Sequence, residues 1–228
     1  MVFRLKALTS MAIISVALLL SIPNVIRAEE ASCDNAKSIC STDVLLSLGD
    51  TVSSYLKPDI QDPAWMKPQI VFTYNIATRG NVDANLQEFR TQVSQTLNDS
   101  RGWNQIGAVF REVDTGGGFT LYLSEASSVP SFSSACSEYW SCRVGTSVII
   151  NQDRWLGATD AWNNAGGSLR DYRHMVVNHE VGHWLGQGHL SCTGAGQPAP
   201  IMQQQSIDLQ GCEFNAWPLP SELWSSRL

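Results

Sequence analysis

Eleven consecutive residues, His179-Glu180-Val181-Gly182-His183-Trp184-Leu185-Gly186-Gln187-Gly188-His189, read H-E-x-x-H-x-x-G-x-x-H. On an α-helix, residues four apart stack on one face, so His179 and His183 aim their imidazoles at one point. Glu180 lies roughly 100° further round, where its carboxylate reaches a water at that point without being a ligand. Gly186 tolerates the left-handed conformation that ends helices, so the chain can turn back there. That turn brings His189 to the same point as a third nitrogen. Three neutral imidazoles with one open position are how catalytic zinc is held. A short H-E-x-x-H also arises by coincidence on a buried helix. The longer pattern fixes five positions and takes in three of the chain's four histidines. The fourth, His174, is five residues before His179, roughly 140° away round the helix. It is expected as a surface or packing residue and not as a fourth ligand.

The residues before the pattern extend it into a long helix. Ser168, with Asp171 three later, forms a weak capping box, and the helix is expected to run about 18 residues from Leu169. Leu169, Tyr172, Val176, His179 and His183 share one stripe, so the ligands continue an apolar face. Val177, Val181, Trp184 and Leu185 make the last turns apolar on nearly every side, which predicts a buried, rigid end. Upstream, residues 69–76 are apolar and β-branched, a first strand. Leu86, Phe89, Val93 and Leu97 recur at helical spacing, with Asn81 or Asp83 as caps and Asn98-Asp99-Ser100 as the stop. Residues 107–113 and 119–123 read as strands separated by Gly116-Gly117-Gly118, and 147–151 as a fourth. Residues 163–167 read as a loop. Trp140, Trp155 and Trp162 are expected as core or loop anchors, with carbohydrate binding as the sharper alternative.

The N-terminus places Arg4 and Lys6 before an apolar core, 11–20, that is shorter than the roughly 20 residues a membrane span needs. With Ile26-Arg27-Ala28 at the cut, it reads as a secretory signal peptide of residues 1–28; an uncleaved anchor is the alternative. Glu30-Ala31-Ser32 before Cys33 argues against a lipoprotein. These 28 residues hold three of the 15 basic residues and no acid, so the remainder is more acidic than the whole-chain net charge of −6. With no basic run, that excludes nucleic acid and anionic membranes as expected partners. Six cysteines, Cys33, Cys40, Cys136, Cys142, Cys192 and Cys212, follow the cut, an even number that argues for disulfides in an oxidising, secreted or periplasmic setting. Six allow 15 connectivities; nearest-neighbour pairing gives 33–40, 136–142 and 192–212. Cysteine zinc ligation is the rival, but no C-x-x-C pair exists and the histidines supply a full ligand set. Residues 29–67 are polar and read as an extension packed on the domain, or as a pro-segment that blocks the zinc. Cys33, Cys40 and Asp50 are available for such a block, though none sits in a full motif.

The extended motif, with Pro200-Ile201-Met202 after it, resembles the metzincin metalloproteases, whose signature is this pattern followed by a Met-turn. The resemblance covers about residues 69–212. It is closest to an uncharacterised group of secreted bacterial metzincin-like proteins, through residues 199–205 and Gly211-Cys212. It implies an α+β fold: a mixed, mostly parallel twisted sheet with two helices, one of them the active-site helix, and a small irregular lower lobe, within a domain of residues 68–228. It further implies Zn²⁺ held by His179, His183 and His189, Glu180 as general base, Gly186 at the turn, and Met202 packed beneath the metal without binding it. An ordinary core methionine is the plainer reading of Met202. The implied activity is endopeptidase hydrolysis of peptide or protein substrates by a monomer. A zinc-binding module without turnover and a hydrolase of cell-wall amide bonds remain as other readings. The chain departs from the pattern in its short tail and in having no tyrosine after Met202, which leaves an auxiliary oxyanion donor unassigned. No aspartate-rich run suggests a structural calcium.

Overall fold

The computed structural model describes residues 70–228. The expected signal peptide, the segment 29–67 and the Cys33–Cys40 pair lie outside these residues. Five strands form one sheet in the order β2-β1-β3-β5-β4: β1 (Ile70–Arg79), β2 (Ala108–Glu112), β3 (Phe119–Ser124), β4 (Cys142–Val144) and β5 (Ser147–Asn151). All neighbours are parallel except β4, which runs antiparallel to β5 on the outer edge. The fold is therefore α+β with a mixed, mostly parallel sheet, as the sequence predicts. β4 is the strand that periodicity misses, because three residues cannot display an alternation.

β1 organises the sheet. Its first half pairs with β2, Ile70 to Tyr74 against Ala108 to Glu112, and its second half with β3, Tyr74 to Arg79 against Phe119 to Ser124. The triglycine segment therefore does not turn a hairpin. It crosses β1 from one side to the other, and Gly118 donates its N–H to the Thr73 carbonyl at 2.8 Å. A Cβ on Gly117 would lie 2.7 Å from the Tyr74 backbone, so backbone rests on backbone and a side chain there has no room.

Helix α1 (Leu86–Leu97) links β1 to β2. Its cap is Asn85, whose side chain accepts the Glu88 N–H at 2.9 Å, and not Asn81 or Asp83. Those two belong to the loop before it, where the Asp83 N–H bonds to the Gln152 side chain and the Asn81 N–H to Glu125. A cap must sit immediately before the first helical residue for its oxygen to reach the third N–H. The expected stop holds, with Asn98 as C-cap.

Strand β5 is buried from Val148 to Asn151 because both its faces are covered. Val148 and Ile150 enter the main core, whereas Ile149 packs with Val129 and Cys136 beneath the segment between β3 and β4. After β5 come two short helices, α2 (Gln152–Gly157) and α3 (Asp160–Asn164), in a region without a clear helical pattern. They bring in Trp155 and Trp162, both fully buried. Helix α4 (Leu169–Trp184) then crosses the core, buried along most of its length. Its N-cap is Ser168, as expected, and accepts the Asp171 N–H, but the reciprocal bond of a capping box is replaced by one from the Ser168 hydroxyl to the Asp171 carboxylate. At its other end the Trp184 ring lies 4.5 Å from Phe119 and 5.1 Å from Phe72 between centroids. Aromatic contacts of this kind contribute about 0.5–1.5 kcal/mol each beyond area burial and fix the helix end on the sheet.

Disulfides join Cys136 to Cys142 and Cys192 to Cys212, two of the three expected pairs, and they suit an oxidising compartment. No helix among the described residues is long and apolar enough to cross a membrane.

Candidate metal centre and its cleft

Helix α4 ends in a Schellman motif. Gly186 is at φ +104°, its N–H bonds to the His183 carbonyl, and the Gln187 N–H bonds to the Gly182 carbonyl at 3.0 Å. The chain reverses there and His189 returns to the helix, so His179, His183 and His189 meet as a possible metal-holding group. Gln187 holds the turn from outside by donating its side-chain N–H groups to the carbonyls of Glu222 and Trp224. Ser226 packs over Gly186 and donates its backbone N–H to Leu185.

The protonation of the triad follows from its partners. His179 Nδ1 lies 2.8 Å from the Ile201 carbonyl and His183 Nδ1 lies 2.9 Å from the Gln187 carbonyl. A carbonyl oxygen accepts and never donates, so both Nδ1 atoms carry the hydrogen. In the neutral rings both Nε2 atoms are then bare. His183 Nε2 nevertheless lies 3.2 Å from His179 Nε2 and 3.1 Å from His189 Nε2. Two bare lone pairs at that distance share no hydrogen bond; a cation between them reconciles the contact. Three nitrogens on a tetrahedral zinc, each about 2.0–2.1 Å from it, stand about 3.3 Å apart. The residues present therefore fit such an ion. Burial keeps the rings neutral: it pushes His179 down to about 3, helped by the neighbouring His183, and lowers His183 and His189 as well. Neutral imidazole is the form that binds metal.

Glu180 is buried beside the triad and lines the same cleft. Burial pushes its carboxyl up to about 8, while the charge of Arg143 pulls it down. His174 lies elsewhere, buried with Nδ1 2.8 Å from the Thr96 hydroxyl and its ring 4.9 Å from that of Trp217. It is a packing residue, and burial lowers its pKa.

Met202 is fully buried under α4. A Cβ on Gly182 would come within 2.4 Å of its sulfur and 2.9 Å of the Trp103 ring, so the glycine makes room for both. The segment carrying Met202 hangs from Glu222, a fully buried carboxylate. One of its oxygens accepts the N–H groups of Ile201 and Leu219 at 2.9 and 2.8 Å, and the other accepts that of Met202 at 2.9 Å. Neither Gly182 nor Glu222 stands out in the sequence. The first looks like a helix-weakening glycine, and the second lies well downstream of the motif with no spacing to announce it.

The cleft has a volume of about 310 Å³. The loop with Trp140, the Cys136–Cys142 disulfide and Arg143 line it together with α4, and Gln203, Gln204, Gln205, Ser206 and Ile207 complete it. A second hollow of about 430 Å³ shares Trp140, Ser206 and Ile207 with it, so the depression continues past the metal group. Of the three tryptophans, Trp155 and Trp162 are core and Trp140 faces the cleft. The Cys192–Cys212 disulfide closes the loop that carries Met202.

A family model described as "Protein of unknown function (DUF3152)" matches residues 58–218. No curated protein matches the sequence.

Proposed function

The chain belongs to this family of proteins of unknown function, and from the site we propose that it is a secreted, zinc-dependent endopeptidase of metzincin type. The observation that carries the reading is the convergence of the three histidines, two of them with bare Nε2 atoms, with a buried carboxylate beside them in one cleft. His179, His183 and His189 would hold the metal, and the carbonyls of Ile201 and Gln187 orient the first two rings. Zinc in such a site supplies Lewis acidity, which polarises a scissile carbonyl and makes water nucleophilic near neutral pH. Glu180 takes the proton that this water gives up and delivers it to the amine nitrogen as the C–N bond breaks. Its place in the cleft beside the triad suits a group that must accept a proton and pass it on.

The choice of an extended peptide as substrate rests on β4. It is the outer strand of the sheet, so one edge has no strand partner among the described residues, and Cys142 and Arg143 line the cleft. An extended peptide can add to such an edge through main-chain hydrogen bonds. The mixed sheet and the Schellman turn after the ligand helix also support the resemblance to metzincins.

Glu180→Gln tests the mechanism, since it keeps size and hydrogen bonding but removes the base. Zinc content and folding should survive while turnover of a diverse peptide library falls by at least about 10²–10⁴. His183→Ala should lose zinc and activity together, and chelation should silence the wild type. A folded, zinc-loaded Glu180→Gln protein that cleaves as fast as wild type would defeat the mechanism. Zinc binding without cleavage of any peptide would make the protein a binding module, and turnover confined to cell-wall fragments would reassign the substrate.

A further inference from the structure

Arg143 lies on β4 between the disulfide-bonded Cys142 and Val144, in register with Val148 of β5. Its guanidinium is thus carried by a short strand fixed on two sides, by the sheet and by the Cys136–Cys142 bridge. It lines the cleft together with Glu180 and His183. Its Nε–H is buried without a hydrogen-bond partner. The ion pairs among the described residues join Arg90 to Glu112, Arg101 to Asp99 and Arg173 to Glu88, and none involves Arg143. A buried donor on a charged group is costly to leave unanswered and uncommon in native structures. Arg143 as a whole is half-buried, and its guanidinium has neither an ion pair nor a hydrogen-bonded acceptor among the described residues, so it is free to take one from a ligand.

The remainder of the cleft offers no anion paired with Arg143. Glu180 is the one carboxylate among the described lining residues, and it forms no ion pair with Arg143. Arg143, Glu180 and His183 nevertheless line one and the same cleft. Ser137, Ser141, Gln204, Gln205 and Ser206 are neutral. Gln203 is fully buried and gives its Nε2–H to the Asp208 carbonyl, which leaves its Oε1 without a donor. The cleft therefore presents a cation that no anion among its described lining residues answers. A peptide carboxylate can supply the missing anion for Arg143.

We propose that Arg143 is a specificity-determining residue that selects peptides carrying a carboxylate within about two residues of the scissile bond. The proposal rests on the peptide-hydrolase reading of the site. A guanidinium binds a carboxylate through two parallel N–H bonds, a geometry that a neutral amide does not reproduce. The carboxylate is supplied either by an Asp or Glu side chain or by a free C-terminus.

The test is equilibrium binding of labelled peptides to the zinc-loaded Glu180→Gln protein, which binds without turnover, and to the same protein carrying Arg143→Gln or Arg143→Lys. One peptide pair has Asp or Glu against Asn or Gln in an amidated frame, and a second has a free against an amidated C-terminus. At least one acidic member should bind about tenfold or more tightly than its amide, and the pair that does so identifies the source. Arg143→Gln should bring that ratio close to one, and Arg143→Lys should restore part of it. Melting temperature and zinc content show whether each variant is folded. No acid preference, a preference that survives Arg143→Gln, or no measurable binding of any peptide overturns the proposal. Turnover by the Glu180-containing protein is scored separately. Absent turnover with an Arg143-dependent binding preference defeats the hydrolase reading and leaves the recognition role standing. An equal fall in kcat on acidic and amide peptides in Arg143→Gln, with no change in their ratio, assigns Arg143 to oxyanion stabilisation and overturns selection.

Discussion

Glu222→Gln should damage the metal site without touching a ligand. The carboxylate accepts three backbone N–H groups, from Ile201, Met202 and Leu219. A glutamine has one oxygen to replace two. In the better arrangement it keeps Ile201 and Leu219 and turns its NH₂ toward the Met202 N–H, so one buried donor loses its acceptor and faces another donor. Hydrogen bonds to a charged acceptor contribute about 1.5–3 kcal/mol, and an unsatisfied buried donor costs about 1–3 kcal/mol. Relief from burying the charge offsets part of this, which leaves an expected loss of about 2–4 kcal/mol. The local consequence is sharper. The Ile201 carbonyl receives the Nδ1–H of His179, so a shift of this segment loosens a ligand, and lost support of that kind weakens metal binding about 10–100-fold. Urea unfolding monitored by circular dichroism gives the first quantity, and zinc competition with a chromophoric chelator gives the second. A variant within about 0.5 kcal/mol of wild type and with unchanged zinc affinity would show that residues 201–202 are held by something other than Glu222.

Removing the Cys192–Cys212 bridge as a double serine variant should cost about 3 kcal/mol for a loop of this length, read as a lower urea midpoint; no change would mean that the Met202 loop is already held without it. Gly182→Ala should destabilise, although alanine in a helix gains about 1 kcal/mol over glycine. The new methyl meets Met202 and Trp103, and overpacking costs about 1–3 kcal/mol, so a rise in stability would refute the close packing. Sequencing the N-terminus of exported protein should find Glu29 first, whereas an intact Met1 on a membrane-bound product would refute cleavage.

The sequence and the structure agree best where one physical rule decides the outcome. Helical spacing carried His179 and His183, the positive φ of Gly186 carried the return of His189, and short-range pairing carried Cys136–Cys142 and Cys192–Cys212. The cap of α1 was legible in principle, since Asn85 and Glu88 stand three apart, but Asn81 and Asp83 competed with it. Strand β4 and helices α2 and α3 were too short to show a period. The crossing at Gly117 was hidden for a different reason, because a glycine run announces a tight backbone but not what lies against it. The supports of the site were hidden too. Glu222 and Gln187 act across 20 to 37 residues of sequence separation, and only tertiary folding reveals what they touch.

The clamp on α4 has a consequence for the order in which the protein is made. Arg227 donates to the Trp184 carbonyl and lies over the Trp184 ring, 43 positions later in the chain. At about 5–20 residues per second, a ribosome spends about 2–9 s between those two residues. For most of that interval, from residue 189 to residue 222, the three histidines exist but the carboxylate that suspends the Ile201 segment and the residues that pin the turn do not. A nascent chain thus carries the histidine triad without the rigid surroundings that bring it together. On the proposed zinc reading, tight metal capture waits until residues 222–227 have folded onto α4.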